Sequence, residues 1–272
     1  MTAAYLARIG LSRAELDPLD ESALRRITAA HAAAVPFENT RAHRGERISV
    51  RTEDVLERIV DRHEGGVCYE LNGGLGWLLA ELGADVRLVA GQVLVGAASD
   101  GAERAGDGDA GQATGGAGGL GGLPMSHMAL IVRLPETDRE WLADVGFGGD
   151  TILRDAPADG DTVTTGRGTS YRIDLRRREL GDFEGLAWWH STSPGSRFMR
   201  GVVVSSTRAD GVATLSGRGD GQLAWRFRGE RDTAARDVEP DVAQTIAAEV
   251  FGLTTPLPRS LVRYAPVTPP GR

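Results

Sequence analysis

Apolar residues recur at three- and four-residue steps through the first third of the chain and at two-residue steps beyond it. Ala23, Leu24, Ile27 and Ala30 share one helical face, with Asp20 placed as the N-cap and Pro36 as the stop. A second helix is predicted over residues 52–62, where Val55, Leu56, Ile59 and Val60 lie on one side. Thr52 is placed to cap it, with Glu53 and Asp54 in its first turn. After the Gly65-Gly66 break, Leu71, Leu75, Leu78, Leu79 and Leu82 form the stripe of a third helix, which Gly83 closes.

From Asp85 the period changes. Val86, Leu88 and then residues 93–95 read as a strand, followed by strands at 127–134 and 139–145 joined by the turn Pro135-Glu136-Thr137-Asp138. Further strands are expected at 162–175, 186–189, 199–206, 211–216 and 222–228, and a last helix at 241–251. Helices first and strands after predict an α+β chain. Residues 97–122, rich in glycine, alanine and aspartate, are expected to be a surface loop. The G-x-G-x-x-G match at 116–121 neither follows a strand nor opens a helix, so it carries no dinucleotide reading.

Composition narrows the chemistry. The net charge of −7 gives no overall attraction to nucleic acid or an anionic membrane. All 31 basic residues are arginine, which removes Schiff-base lysines and the phosphate-loop lysine. A single cysteine excludes an internal disulfide and a thiolate metal cluster. The opening MTAAYLARIG has no basic region before an apolar core, and no stretch has the length of a membrane span. A reducing cytoplasm is the expected compartment.

Cys68 follows two glycines and opens the third helix, where unpaired backbone N–H groups favour a thiolate. The plain alternative is an inert buried thiol. Of five histidines, His31 falls within a helix, His43 in an arginine-rich loop where solvation is expected, and His63 beyond the glycine pair. His190 follows two tryptophans, while His127 opens a strand, an ordered place for a fixed base. The hairpin supplies a geometric test. A four-residue loop pairs Leu134 with Arg139 and sets Ala129 opposite Asp144, so His127 and Asp144 project from one face as diagonal neighbours. Such neighbours are roughly 7–8 Å apart at Cα. Asp144 also interrupts an apolar run, where a carboxylate needs a partner. A thiol, an imidazole and a carboxylate in this order suit nucleophilic acyl transfer.

Several segments together resemble the arylamine N-acetyltransferase family: Val35-Pro36-Phe37-Glu38-Asn39, then 65–72 (GGVCYELN), His127-Met128, and 144–149 (DVGFGG). The opening 5–10 and Ser191-Thr192-Ser193-Pro194 are also similar, and the resemblance spans nearly the whole chain. It implies a helical domain (1–84), a β-barrel domain (85–198) and a smaller α/β domain (199–272). It implies a Cys68, His127 and Asp144 triad without metal. Acetyl-CoA is then the acyl donor, an arylamine or hydrazine the acceptor, and the cysteine thioester the intermediate. Phe37 and Phe147 match aromatic pocket positions, and Gly146 and Gly148 the glycine turn by the acyl-CoA cleft.

Two departures stand out. The family usually carries arginine just before the glycine pair, facing the glutamate of the Pro-Phe-Glu motif, whereas this chain has Glu64 there, opposite Glu38. Two carboxylates do not replace an ion pair, so Arg41 or Arg62 is expected to reach Glu38, with Glu64 turned to solvent. The stretch between Cys68 and His127 is also longer than usual. The rival readings are an amide synthase that takes its acyl chain from a carrier protein, a cysteine hydrolase or transglutaminase-like enzyme, and a non-catalytic binding module.

Overall fold

The computed structural model describes residues 1–94, 122–166, 168–217, 222–229 and 232–258. Nearly all of the glycine-rich stretch lies outside them.

The first 84 residues are mainly helical. Helix α1 (Thr2–Arg8) precedes α2 (Glu21–Ala34), whose N-cap Asp20 accepts the Ala23 N–H at 2.8 Å. The α2 stripe buries Ala23, Leu24, Ile27 and His31, and the helix stops before Pro36 as expected. A two-residue strand β1 (Phe37–Glu38) and the short helix α3 (Thr40–His43) follow. His43 was expected in solvent; it is buried at the end of α3, because that turn packs under the chain near residue 200. The helix expected over 52–62 is α4 (Thr52–Leu56) continued by a π turn (Glu57–Asp61). Its N-cap is Arg51, not Thr52, and no side chain caps it. Helix α5 (Cys68–Glu81) lies across the first sheet and is buried on nearly every side.

That sheet is antiparallel, in the order β5-β4-β3-β2-β7-β6. Its strands are β2 (Asp85–Leu94), β3 (His127–Arg133), β4 (Glu140–Asp144), β5 (Ile152–Asp155), β6 (Thr162–Thr164) and β7 (Ser170–Arg178). Among the described residues β5 and β6 are its two edges, so the expected barrel is a half-barrel. The strand expected at 162–175 is two antiparallel strands, with the Gly168 N–H donating to the Thr165 carbonyl at 3.0 Å between them and Gly168 at φ +84°. The strand expected at 186–189 is instead helix α6 (Glu184–Thr192). Ala187, His190 and Ser191 are its buried positions, in helical spacing with the buried Phe183 just before it, and Trp188 points outward.

A second antiparallel sheet has the order β1-β8-β9-β10-β11, with β8 (Val203–Arg208), β9 (Gly211–Gly217), β10 (Leu223–Gly229) and β11 (Thr233–Val238). Met199, expected in β8, sits in a 3-10 turn before it. Helix α7 (Pro240–Glu249) covers this sheet through Ala243, Ile246 and Ala247 against Val204, Ala213 and Leu215. Strand β1 comes from the helical part of the chain yet pairs with β8, Phe37 opposite Ser205 and Glu38 opposite Val204. No described helix is long and apolar enough to cross a membrane.

Candidate active site

The β3–β4 hairpin has the register read from its loop: Leu130 faces Ala143, Val132 faces Trp141 and Arg133 faces Glu140. His127 and Asp144 therefore share a face, and His127 Nε2 lies 2.7 Å from Asp144 Oδ2. Helix α5 crosses that face and sets its first residue, Cys68, beside the imidazole, where it helps to raise the ring's pKa. All three side chains are buried.

Asp144 is held by more than His127. Its Oδ1 accepts from Asn72 Nδ2 at 2.9 Å and from Gly146 N–H at 2.9 Å, and its Oδ2 accepts the Tyr171 hydroxyl at 3.1 Å. Asn72 also donates to the Met128 carbonyl at 2.6 Å and accepts the Val145 N–H at 3.0 Å, pinning both ends of the hairpin face to α5. Sequence reading did not single out Asn72 or Tyr171. Asn72 had a signal: it stands four residues after Cys68, on the same side of the helix. Tyr171 had none, since β7 reaches the site only through its pairing with β2.

The electrostatics follow from this packing. Burial alone would depress the His127 pKa, but the Asp144 carboxylate and then Cys68 oppose it, and the pKa is pushed up to about 10. Burial would raise Asp144, yet His127, Asn72 and the Gly146 N–H hold it below its ordinary value. Burial, then Asp144, pushes Tyr171 up, so its hydroxyl remains a donor. Burial lowers His31, and burial followed by Arg197 lowers His190 to about 4. Both are packing histidines, His31 bonded to Tyr5 Oη at 3.0 Å and His190 to Ser196 Oγ at 3.2 Å.

The segment after Asp144 closes over Cys68. A Cβ on Gly146 would stand 2.7 Å from both Cα and Cβ of Cys68, so only glycine fits there. Gly148 and Gly149 adopt φ +61° and +96°, and the Ser205 and Thr207 hydroxyls hold their carbonyls at 3.1 and 3.0 Å. Phe147 packs edge-on to His127 with centroids 4.6 Å apart, and stacks on Tyr171 at 5.6 Å. Phe37 lies against Phe198 at 5.8 Å, near Gly148. Every residue expected at the site thus converges on one region around the Cys68–His127–Asp144 line.

The expected fate of the two glutamates is corrected. Arg58, not Arg41 or Arg62, reaches Glu38, with Nη2 to Oε1 at 2.9 Å. Arg41 is engaged by Glu70 at 2.6 Å, and Arg62 by Glu57 at 2.6 Å. Glu64 is buried and faces Arg58, because that guanidinium lies inside the protein and draws it in.

A half-barrel and a helical segment that join a cysteine to a histidine–carboxylate pair define an acyl-transfer type of architecture. A family model described as N-acetyltransferase matches residues 20–105, 110–173 and 161–259. The arylamine N-acetyltransferase of Mycolicibacterium smegmatis is 31% identical over 239 residues, spanning 79% of each chain. That of Escherichia coli is 27% identical over 230 residues, spanning 76% of this chain and 73% of its own. Among solved structures, the Mycobacterium marinum arylamine N-acetyltransferase in complex with CoA superposes with a TM-score of 0.70 at 27% identity, covering 93% of each chain. The chain belongs to the arylamine N-acetyltransferase family.

Proposed function

We propose that this protein moves an acetyl group from acetyl-CoA, through a thioester on Cys68, to the nitrogen of an arylamine or hydrazine. The observation that carries the reading is the buried imidazole of His127, with Asp144 at 2.7 Å on Nε2 and Cys68 beside the ring. In this reading Nε2–H donates to Asp144, and the other ring nitrogen serves the sulfur. The thiolate attacks the thioester carbonyl; the CoA sulfur leaves with the bonding pair and is protonated from His127. The amine nitrogen then attacks the Cys68 thioester and gives its proton to His127. Collapse of the adduct forms the amide and expels the Cys68 sulfur. Asp144 keeps the ring oriented and balances its charge throughout. Phe37 and Phe147 are proposed to flank the acceptor, and Gly146 and Gly148 to leave room for the acyl group. The segments 1–84, 85–198 and 199–272 are proposed as domains that carry the nucleophile, carry the base pair and cover the cleft.

Intact mass after brief exposure to acetyl-CoA tests this. An added acetyl group on the wild type, absent from Cys68→Ala and Cys68→Ser and discharged by an arylamine, is the expected result. Discharge at the same rate without amine would favour a hydrolase. Acylation only by carrier-bound thioesters would favour the amide synthase, and an acetylated Cys68→Ala would remove Cys68 from the reaction.

A further inference from the structure

Three carboxylates and three guanidiniums gather behind the turn that presents Cys68, outside the triad. Glu38, Glu64 and Glu70 are 2%, 3% and 1% exposed, and Arg58 is 2% exposed. Arg58 Nη1 lies 3.1 Å from Glu64 Oε2, and its Nε lies 3.5 Å from Glu70 Oε1. Arg41 bonds Glu70, and Arg44 Nη2 lies 3.6 Å from Glu64 Oε1, so each buried carboxylate has a positive partner; at the rim the more exposed Glu46 also pairs with Arg44 at 2.9 Å and Arg41 at 3.4 Å. Charges this deeply buried are tolerated only when paired.

The directed bonds of Arg58 do not go to Glu64. Neither Nη1 nor Glu64 Oε2 has a hydrogen-bond partner, so that approach is an ion pair without alignment. The aligned bonds are Nη2 to Glu38 Oε1 at 2.9 Å, and Nη2 and Nε to the Gly65 carbonyl at 3.2 and 3.3 Å. Both targets belong to one construction. Phe37 and Gly66 form a parallel bridge, in which Glu38 N–H donates to the Gly66 carbonyl at 2.9 Å and Gly66 N–H donates to the Pro36 carbonyl at 3.2 Å. Val67 N–H donates to Glu70 Oε2 at 3.1 Å, and Cys68 is the next residue. Arg58 therefore grips the two chain segments of the bridge at once, by a side chain on one and a carbonyl on the other.

We propose that Arg58 is a positioning residue for Cys68, cross-linking Glu38 to the Gly65 carbonyl so that the sulfur is held against His127. The proposal rests on Cys68 as the nucleophile. A lysine has no counterpart of Nε, and its nitrogen sits nearer the backbone than Nη2, so it does not keep all three bonds. In Arg58→Lys, the acylation rate constant with p-nitrophenyl acetate is expected to fall about tenfold or more with KM little changed, since small misplacements of reacting groups cost up to roughly 100-fold. The iodoacetamide alkylation rate of Cys68 is expected to change with it. A folded Arg58→Lys enzyme with wild-type acylation, or with its loss confined to KM, overturns the proposal. Should Arg58→Lys not fold, the double variant Arg58→Met/Glu64→Arg delivers a guanidinium to the same place from residue 64. Recovery of acylation there supports the proposal, and a folded double variant with an inert Cys68 overturns it. If alkylation responds to Arg58→Lys while the wild type takes no acetyl group, the positioning role stands and the proposed function falls.

Discussion

Replacing Asp144 by asparagine changes one atom of a side chain that is 0% exposed and accepts four hydrogen bonds. An amide accepts at only one end. With its oxygen at the Oδ1 position, the Asn72 and Gly146 donors stay satisfied, and its NH2 faces His127 Nε2 and the Tyr171 hydroxyl. The reverse orientation sets that NH2 against two buried donors, at about 1–3 kcal/mol for each one left unsatisfied. The first orientation wins, and its NH2 donates to Nε2. The ring proton is then forced onto the nitrogen beside the sulfur, which can no longer accept from the thiol. In a serine triad the same substitution costs about four orders of magnitude in kcat, or about 5.5 kcal/mol of barrier. The His127 pKa, held near 10 chiefly against burial by this carboxylate, is expected to fall below its ordinary 6.5. Rapid-quench mass spectrometry gives the acylation rate, and NMR of the labelled ring gives the titration. A folded Asp144→Asn enzyme that acylates within about tenfold of wild type, or whose His127 still titrates near 10, refutes the reasoning.

Gly146→Ala drives a methyl to within 2.7 Å of Cys68 and 2.6 Å of Asn72 Nδ2. It is expected to cost about 1–3 kcal/mol of stability, as overpacking does, together with much of the acylation rate. Urea unfolding and the acylation burst check it, and wild-type values in both refute it. His127 has a folded pKa raised to about 10 from 6.5, so the stability its charged form provides is complete below about pH 6.5 and lost as pH rises through about 10. The stability gap between wild type and His127→Gln should narrow across that window, and a gap constant from pH 6 to 10 would show that the ring is not held charged.

The hairpin that carries His127 and Asp144 was legible because two local rules determine it. A four-residue turn sets the register, and the period of two decides which side chains share a face. From those alone His127 and Asp144 come together, as the structure has them. The cap of α2 and the stops of α2 and α5 were legible for the same reason, since each is written within a few residues of the helix end. The errors fall where local composition and tertiary packing disagree. Leu186-Ala187-Trp188-Trp189 has the composition of a strand, but only the helical positions of that run find a core. Strand β11 has one large apolar residue, Val238, to announce it, and it exists because β10 offers an edge.

Arg58 was invisible for a more specific reason. On an unbroken α-helical period over 52–62, the stripe of Val55, Leu56, Ile59 and Val60 leaves residue 58 facing solvent. The π turn at Glu57–Asp61 breaks that period: Arg62 N–H bonds the Glu57 carbonyl at 2.9 Å, a five-residue step. The wider turn lets Arg58, Ile59 and Val60 all face inward. The demand for the π turn comes from Glu38, twenty positions upstream of Arg58, and from the Gly65 carbonyl, seven positions beyond it. The Thr255 hydroxyl, 191 positions beyond Glu64, closes the cluster from the C-terminal side. A sequence rule that relates neighbours along the chain reads the presence of an unmatched carboxylate at Glu64 but not the identity of its cation. That cation has to be found in space, and here the only guanidinium bonded to both Glu38 and Gly65 among the described residues is the one the helical period had turned away.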